Sequence, residues 1–470
     1  MARSLFIVSA FCLALCACSA GQSNSSTAGA LPNARALIRH SGSSYITHVV
    51  VMIQENRTFD NLFATFPGAN GTTQGRAKGK RDPIQLQEVS LLEPCDFGHS
   101  YQTYLRDYDH GRMDGFALEG GGKRCPGKTG DKTYQYVNPS DVAPYWDIGQ
   151  QWVLADNFFQ TQGSGSFTAH QDLIRGGTTI DQAQTQSLVD FPSAQPWGCD
   201  APGGTVTHLL GSSGATIKRE FVHGPPPCSS AFPSSGAYYP TMRDLLDAAG
   251  VSWKYYTPPI NNTGRLWNAF DLVAPVRYGP EWTTNVTNAA PYEKQIFKDI
   301  SKGALPAVSW VVPDNPNSDH PTIGSDTGPS WVASVVNAIG QSSYWDSTAV
   351  IVVWDDWGGF YDHVPPPFLD HWGGLGFRVP MLVVSPYDKV GSGSNGGYVS
   401  HTQYEFGSIL SFIEQNFTLG SLGTTDQRAT SMGDVFDFTQ SPRKFTPIPS
   451  KYAQTYFERQ PESFKPVDTE

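Results

Sequence analysis

Thr47-His48-Val49-Val50-Val51-Met52-Ile53 runs directly into Gln54-Glu55-Asn56-Arg57-Thr58-Phe59-Asp60. The first seven residues are β-branched or apolar almost throughout and show no polar alternation, the pattern of a short strand buried on both faces. Phe59, Leu62, Phe63 and Phe66 then fall at i, i+3, i+4 and i+7, the spacing of one helix face. A buried strand passing through a polar turn into a helix is the building unit of an α/β fold.

The same alternation recurs downstream. Met242 to Ala249 reads as a helix stopped by Gly250, and Val251 to Tyr256 as the strand after it. Ala307 to Val312 is a further strand, Val332, Val335, Val336 and Ile339 form a helical stripe ended by Gly340, and Ala349 to Trp354 is another buried strand. Val379 to Val384 and the stripe Phe406, Ile409, Leu410, Ile413 complete the series. This predicts an α/β fold with a mostly parallel sheet sandwiched by helices. The 47 Gly and 35 Pro, scattered without a period, predict loop-rich insertions on it.

Ligands of such sheets bind beyond the carboxyl ends of the strands, so the residues that follow each apolar run are candidates for chemistry. The first strand ends in Glu55 and Asn56, the strand from Ala349 ends in Asp355 and Asp356, and Asp314 follows Pro313 with His320 a few residues on. Glu55, Asn56, Asp355 and Asp356 form an oxygen-rich set suited to one hard or borderline divalent ion of unassigned identity, with His363 close by in sequence. A lone acidic strand end is commonly a solvated loop or a helix cap, so the weight lies on several ends of one sheet together. Gly163-Ser164-Gly165-Ser166-Phe167-Thr168-Ala169-His170 opens a short helical segment stopped by Gly176-Gly177. Ser166 at a helix N-terminus is either an ordinary cap or an alkoxide nucleophile held beside the metal.

Other patterns are discarded. Gly122-Lys123-Arg124-Cys125-Pro126-Gly127-Lys128-Thr129 matches the P-loop expression, yet no strand precedes it and no helical stripe follows. The chain has neither a G-x-S-x-G nucleophile elbow nor an H-E-x-x-H zinc motif. Asp107-Tyr108-Asp109-His110-Gly111-Arg112-Met113-Asp114 lacks EF-hand spacing and reads as a solvated turn.

With 32 Lys plus Arg against 43 Asp plus Glu, the net charge of -11 argues against nucleic acid as a partner. Only 16% of residues are charged and 12% are aromatic, which excludes a disordered chain. Residues 1–20, with Arg3 and then an apolar stretch, read as an export signal, and 21–45 as a polar linker. Leu15-Cys16-Ala17-Cys18 also looks like a lipobox, so cleavage after Ala20 and lipidation of Cys18 both stand. The expected location is exported: periplasmic, secreted or lipoprotein-anchored. No later run approaches the roughly 18 apolar residues that span a bilayer. Beyond the signal, Cys95, Cys125, Cys199 and Cys228 are even in number, as in disulfide-bonded exported proteins. Three pairings are possible. Cys95 with Cys125 and Cys199 with Cys228 is preferred because each would staple one Gly/Pro-rich loop, and a zinc site is the rival without C-x-x-C spacing.

The stretch Val49 to Asp60, together with Ser166-Phe167-Thr168-Ala169-His170 and Trp354-Asp355-Asp356-Trp357-Gly358-Gly359-Phe360-Tyr361-Asp362-His363-Val364-Pro365-Pro366, resembles the bacterial phosphoesterase family. That family holds phosphatidylcholine-type phospholipases C and a respiratory-burst-inhibiting acid phosphatase. The resemblance runs over residues 46–420, leaving 421–470 as an extension that packs on the domain or is partly flexible. It implies an alkaline-phosphatase-like fold, with Glu55, Asn56, Ser166, Asp355 and Asp356 around a metal and Ser166 as nucleophile. His320, in Asp319-His320-Pro321, is similar to the family's histidine facing the phosphate or leaving group, and His99 to its upstream partner. His170, His99 and His320 are the substrate-binding candidates. The chain departs from phospholipase C members at Tyr404-Glu405-Phe406, where they tend to carry a histidine. Glu405 or His401 then joins His363 as a possible additional ligand. The implied activity is hydrolysis of a phosphate-ester small molecule or phospholipid head group. A binding or adhesion protein that keeps the fold without turnover is the alternative.

Overall fold

The computed structural model describes residues 45–119, 125, 130–180, 185–211, 216–221, 228, 239–260, 264–287, 292–321, 324–367, 374–393 and 395–464. The expected signal, the expected linker except Tyr45 and the P-loop-like stretch except Cys125 lie outside these.

Eight strands form the central sheet: β1 (His48–Gln54), β2 (Val153–Ala155), β3 (Trp253–Tyr256), β4 (Val286–Thr287), β5 (Val308–Val311), β6 (Thr348–Trp354), β7 (Met381–Val384) and β8 (Tyr398–Ser400). They stand in the order β4-β3-β5-β1-β6-β7-β2-β8. Only β7 runs against its neighbours, so the expected mostly parallel sheet is present with one reversed strand. Each predicted strand forms: those expected from Val251 and Val379 begin two residues later, that over Ala307–Val312 is one residue shorter at each end, and that ending at Trp354 begins one residue earlier, at Thr348.

Parallel pairing needs a crossover between neighbours, and helices supply it. They are α1 (Phe59–Phe63), α2 (Ala143–Gln151), α3 (Ser166–Arg175), α4 (Met242–Ala249), α5 (Gly328–Gly340) and α6 (Phe406–Phe417). α4 carries a Thr241/Asp244 capping box and ends at Gly250 with φ +66°, a left-handed stop that glycine takes without strain. α2 packs on α5, and α3 on α6. Every residue of β5, β6 and β7 is buried, so both sheet faces are covered. A separate antiparallel sheet of Gln186–Val189, Thr205–Gly211 and Thr216–Phe221 is one of the expected insertions.

Register places the chemistry. β1 lies between β5 and β6, with Gln54 opposite Trp354 and Asp355 N donating to Gln54 O at 2.9 Å. Glu55 and Asp355 therefore leave the sheet side by side. The segment after α6 lies on the domain: Phe457 is buried against Trp331, and Ile448 N bonds Asn337 Oδ1. The disulfides are Cys95–Cys125 and Cys199–Cys228, the preferred pairing. The acidic loop is a correction. Asp107 and Asp109 are buried, with Asp109 held by Lys78 and Arg112, so the segment packs as structure instead of standing in solvent.

Candidate active site

The three sequence blocks meet at the carboxyl end of β1 and β6. Gly165, extended in backbone, is the N-cap of α3, so Ser166 is the first helical residue and its side chain is free of capping duty. Ser166 Oγ instead lies 3.0 Å from Asp356 Oδ2, 3.2 Å from Glu55 Oε2 and 3.5 Å from Asn56 Oδ1. One hydroxyl hydrogen serves one of these oxygens at a time, so the others need a different partner. Ser164 is placed elsewhere, its Oγ accepting from Asp190 N at 2.9 Å.

Asn56 has φ +59°, a left-handed conformation that asparagine tolerates better than most residues. Its backbone N–H donates to Asp355 Oδ1 at 3.0 Å, and the Asp356 N–H donates to the same oxygen at 2.7 Å. Asp356 Oδ1 accepts from Gly358 N at 2.7 Å. The turn is tight: a Cβ at Gly358, φ +57°, would stand 2.5 Å from Asn56 O. The Asn56 amide lies between His99 Nε2 at 3.2 Å and His320 Nε2 at 3.3 Å. His99 Nδ1 faces Phe97 O at 2.8 Å, and a carbonyl only accepts, so that nitrogen carries hydrogen.

Electrically the cluster is short of cations. Burial pushes the Glu55 carboxyl up to about 8, with Asp356 adding to the shift. Burial likewise raises Asp356 to about 7, with Asp355 beside it, and lifts Asp355 well above the usual carboxylate range. His170 is driven down to about 4, also by burial. Among the described residues Asp355 Oδ2 has no hydrogen-bond partner. Buried carboxylates held this close are stable when a cation joins them.

Glu55, His170 and Asp355 offer ligand atoms that all lie within 4.8 Å of one another. The donor set, carboxylates with an imidazole and a hydroxyl, fits a divalent ion. His170, a substrate-binding candidate from sequence, is fully buried, 2.9 Å from Glu55 Oε1 and 3.7 Å from Asp355 Oδ2. Its place one helical turn after Ser166 was the available signal.

The additional candidates do not join this group. His363 sits with Asp60 and Asp362 in a second cluster, Nδ1 2.6 Å from Asp60 Oδ2. There the Arg378 guanidinium already supplies the positive charge, 2.9 Å from Asp362 and 3.3 Å from Asp60. Glu405 is paired with Arg428 at 2.9 Å and takes a bond from Thr161. His401 is two-thirds exposed and meets Asp156 at 2.8 Å. Asp314 accepts from the backbone of Ser463, part of the C-terminal segment. Tyr145 and Arg57, unforeseen from sequence, both bond Asp319, the residue before His320.

Residues 46–420 match the Phosphoesterase family. This chain belongs to that family. It is 26% identical to a non-hemolytic phospholipase C of Burkholderia pseudomallei, over 90% of this chain and 63% of that protein. It is 24% identical to a non-hemolytic phospholipase C of Pseudomonas aeruginosa, over 84% and 57% respectively. Phospholipase C B of Mycobacterium tuberculosis is 28% identical, over 86% of this chain and 80% of that protein. The chain thus spans about three fifths of the length of the first two relatives. Among solved structures, an alkaline phosphatase superfamily protein of Vibrio parahaemolyticus matches 83% of this chain and 71% of that one at 11% identity and a TM-score of 0.33. The lipoteichoic acid synthase LtaP of Listeria monocytogenes matches 86% and 80% at 9% identity and a TM-score of 0.32.

Proposed function

We propose that this Phosphoesterase family member is an exported, metal-dependent phosphoric ester hydrolase with an alkaline-phosphatase-like catalytic domain and Ser166 as its nucleophile. The carrying observation is the placement of Ser166 Oγ, at the N-terminus of a helix, 3.0 Å and 3.2 Å from two buried carboxylates. Glu55, Asn56, Ser166, Asp355 and Asp356 would hold one divalent ion, with His170 backing Glu55 and Asp355. When bound, such an ion offsets charge on the nucleophile and on phosphoryl oxygens.

The chain's own groups do the rest. The Ser166 hydroxyl gives its proton to a neighbouring carboxylate and its oxygen bonds to phosphorus, while the bond from phosphorus to the leaving oxygen breaks. The N-terminal end of α3, where Ser166 stands, would favour the charge of the transferred phosphoryl group. His320 and His99, on either side of the Asn56 amide, are positioned to hydrogen-bond the incoming phosphate and protonate the leaving oxygen. Such assistance contributes about 10²–10⁴-fold. Water then attacks phosphoserine and returns the free hydroxyl and inorganic phosphate or a phosphomonoester.

The phospholipases C among its relatives make a phospholipid head group one candidate substrate and a small phosphate ester the other. Export is supported by the two disulfides. Among the described residues no helix is long and apolar enough to cross a membrane. The test is turnover of p-nitrophenyl phosphate, bis-p-nitrophenyl phosphate and phosphatidylcholine, each with and without chelator. Chelator-sensitive turnover of any one supports the reading, and the one that is turned over sets the substrate class. No turnover of all three by metal-loaded protein overturns it in favour of a binding protein.

A further inference from the structure

We infer that Asp319 is a positioning residue that aims His320 at the leaving oxygen by tying its loop to the ends of β1 and β6. This rests on the roles proposed above for Ser166 and His320.

Asp319 is 4% exposed and has φ +70°, a left-handed turn that sends the chain back toward Asn56 at the next residue. Its Oδ2 accepts from Tyr145 OH at 2.7 Å, Trp354 Nε1 at 3.2 Å and Gln54 Nε2 at 3.5 Å. Gln54 and Trp354 are the last residues of β1 and β6, each directly before a carboxylate of the site. The Asp319 carbonyl accepts from Arg57 Nε at 3.1 Å and Nη2 at 2.8 Å. Glu55 N donates to Ser318 O at 2.8 Å. Every one of these bonds ends on a scaffold atom, and together they couple the loop of His320 to both strand ends that carry the carboxylates. The fit is close: a Cβ on Gly328 would stand 1.9 Å from Asp319 Oδ1, so α5 can begin here only with glycine. A proton donor misplaced by a fraction of an ångström loses catalytic efficiency without loss of fold.

A bond network that merely supports the fold would slow all substrates alike. A network that aims a proton donor matters most where the leaving group needs the proton. The test compares Asp319→Asn, Tyr145→Phe, His320→Ala and the Asp319→Asn/His320→Ala double variant. Each is assayed on the phenyl and p-nitrophenyl esters of whichever class, monoester or diester, the enzyme turns over. Tyr145→Phe keeps the ring and removes the 2.7 Å bond to Asp319 with the 2.9 Å bond accepted from Gln54 Nε2, both in the same network, so it reports even where the Asp319 variant folds poorly. Asp319→Asn and Tyr145→Phe are expected to lower kcat on the phenyl ester by roughly 10–100-fold, the range for groups that orient another through a hydrogen bond. The p-nitrophenyl ester, whose leaving group needs no proton, should lose far less, and the double variant should add little to His320→Ala. Equal losses on both esters, beside a leaving-group-dependent His320→Ala, would overturn the positioning role alone. A His320→Ala enzyme with no leaving-group dependence would overturn the role of His320 and this inference with it.

Discussion

Ser166 and Ser164 differ by two positions and by nothing in composition, yet their surroundings diverge completely. Ser166 Oγ points into the carboxylates, while Ser164 Oγ accepts a backbone hydrogen bond from Asp190. Ser166→Ala is therefore expected to lose turnover by several orders of magnitude while retaining its melting temperature, and Ser164→Ala far less. Acid quench during turnover and peptide mapping should find phosphate on Ser166, and label on Ser164 would refute the assignment. For the carboxylates, Glu55→Gln and Asp355→Asn keep shape and remove the charge that a divalent ion needs, so each should lower both bound metal and rate. Elemental analysis that shows full occupancy in both variants would make these residues structural.

At the scale of elements, the site exists because β1 and β6 are parallel neighbours in register, so that two chain segments 300 residues apart leave the sheet together. The turn after β6 completes it, and its geometry depends on Gly358. Gly358→Ala would bring a Cβ against Asn56 O in a left-handed conformation. The expected result is a loss of more than about 1 kcal/mol in stability with a shifted Asn56, read as a lower melting temperature and weaker turnover. The buried strands were legible at this scale because an unbroken β-branched run has few other uses. The direction of Met381–Val384 was not, since parallel and antiparallel strands buried on both faces carry the same pattern.

Across the whole molecule, two long-range ties add to the core. Thiol titration of unfolded, unreduced mature protein should find none of Cys95, Cys125, Cys199 and Cys228 free. Loss of either bridge should cost about 2–5 kcal/mol. The C-terminal segment is the second tie, and its charge is unbalanced. Glu293 is fully buried, both its carboxylate oxygens without a hydrogen-bond partner among the described residues, close to Asp314 and Glu462, and Lys294 pairs with Glu462 at 2.8 Å. Burial raises all three carboxyls, Asp314 from 3.8 to about 6. The folded state therefore binds more protons than the unfolded chain between those values, and stability falls as pH rises from about 3.8 through 6 and beyond. The protection factor over Gln454–Arg459, which removes the base-catalysed rise of the intrinsic exchange rate, should fall along the same window, and Glu293→Gln should flatten the dependence. A protection factor unchanged from pH 4 to 8 would exclude this charge effect.

Local pattern by itself determined the strands, the helix stops at Gly250 and Gly340, and the candidate ligands Glu55, Asn56, Asp355 and Asp356. Each depends on residue type and on spacing within one element, which hydrophobic burial and backbone geometry read locally. Only the tertiary structure decided that His363 belongs with Asp60 and Arg378, that Glu405 is spent on Arg428, that His170 meets Glu55 and that Asp319 accepts from Tyr145. Those outcomes depend on which side chains from distant segments compete for the same buried space and charge. Sheet order and register settle that competition, and neither is written in any one stretch of the chain.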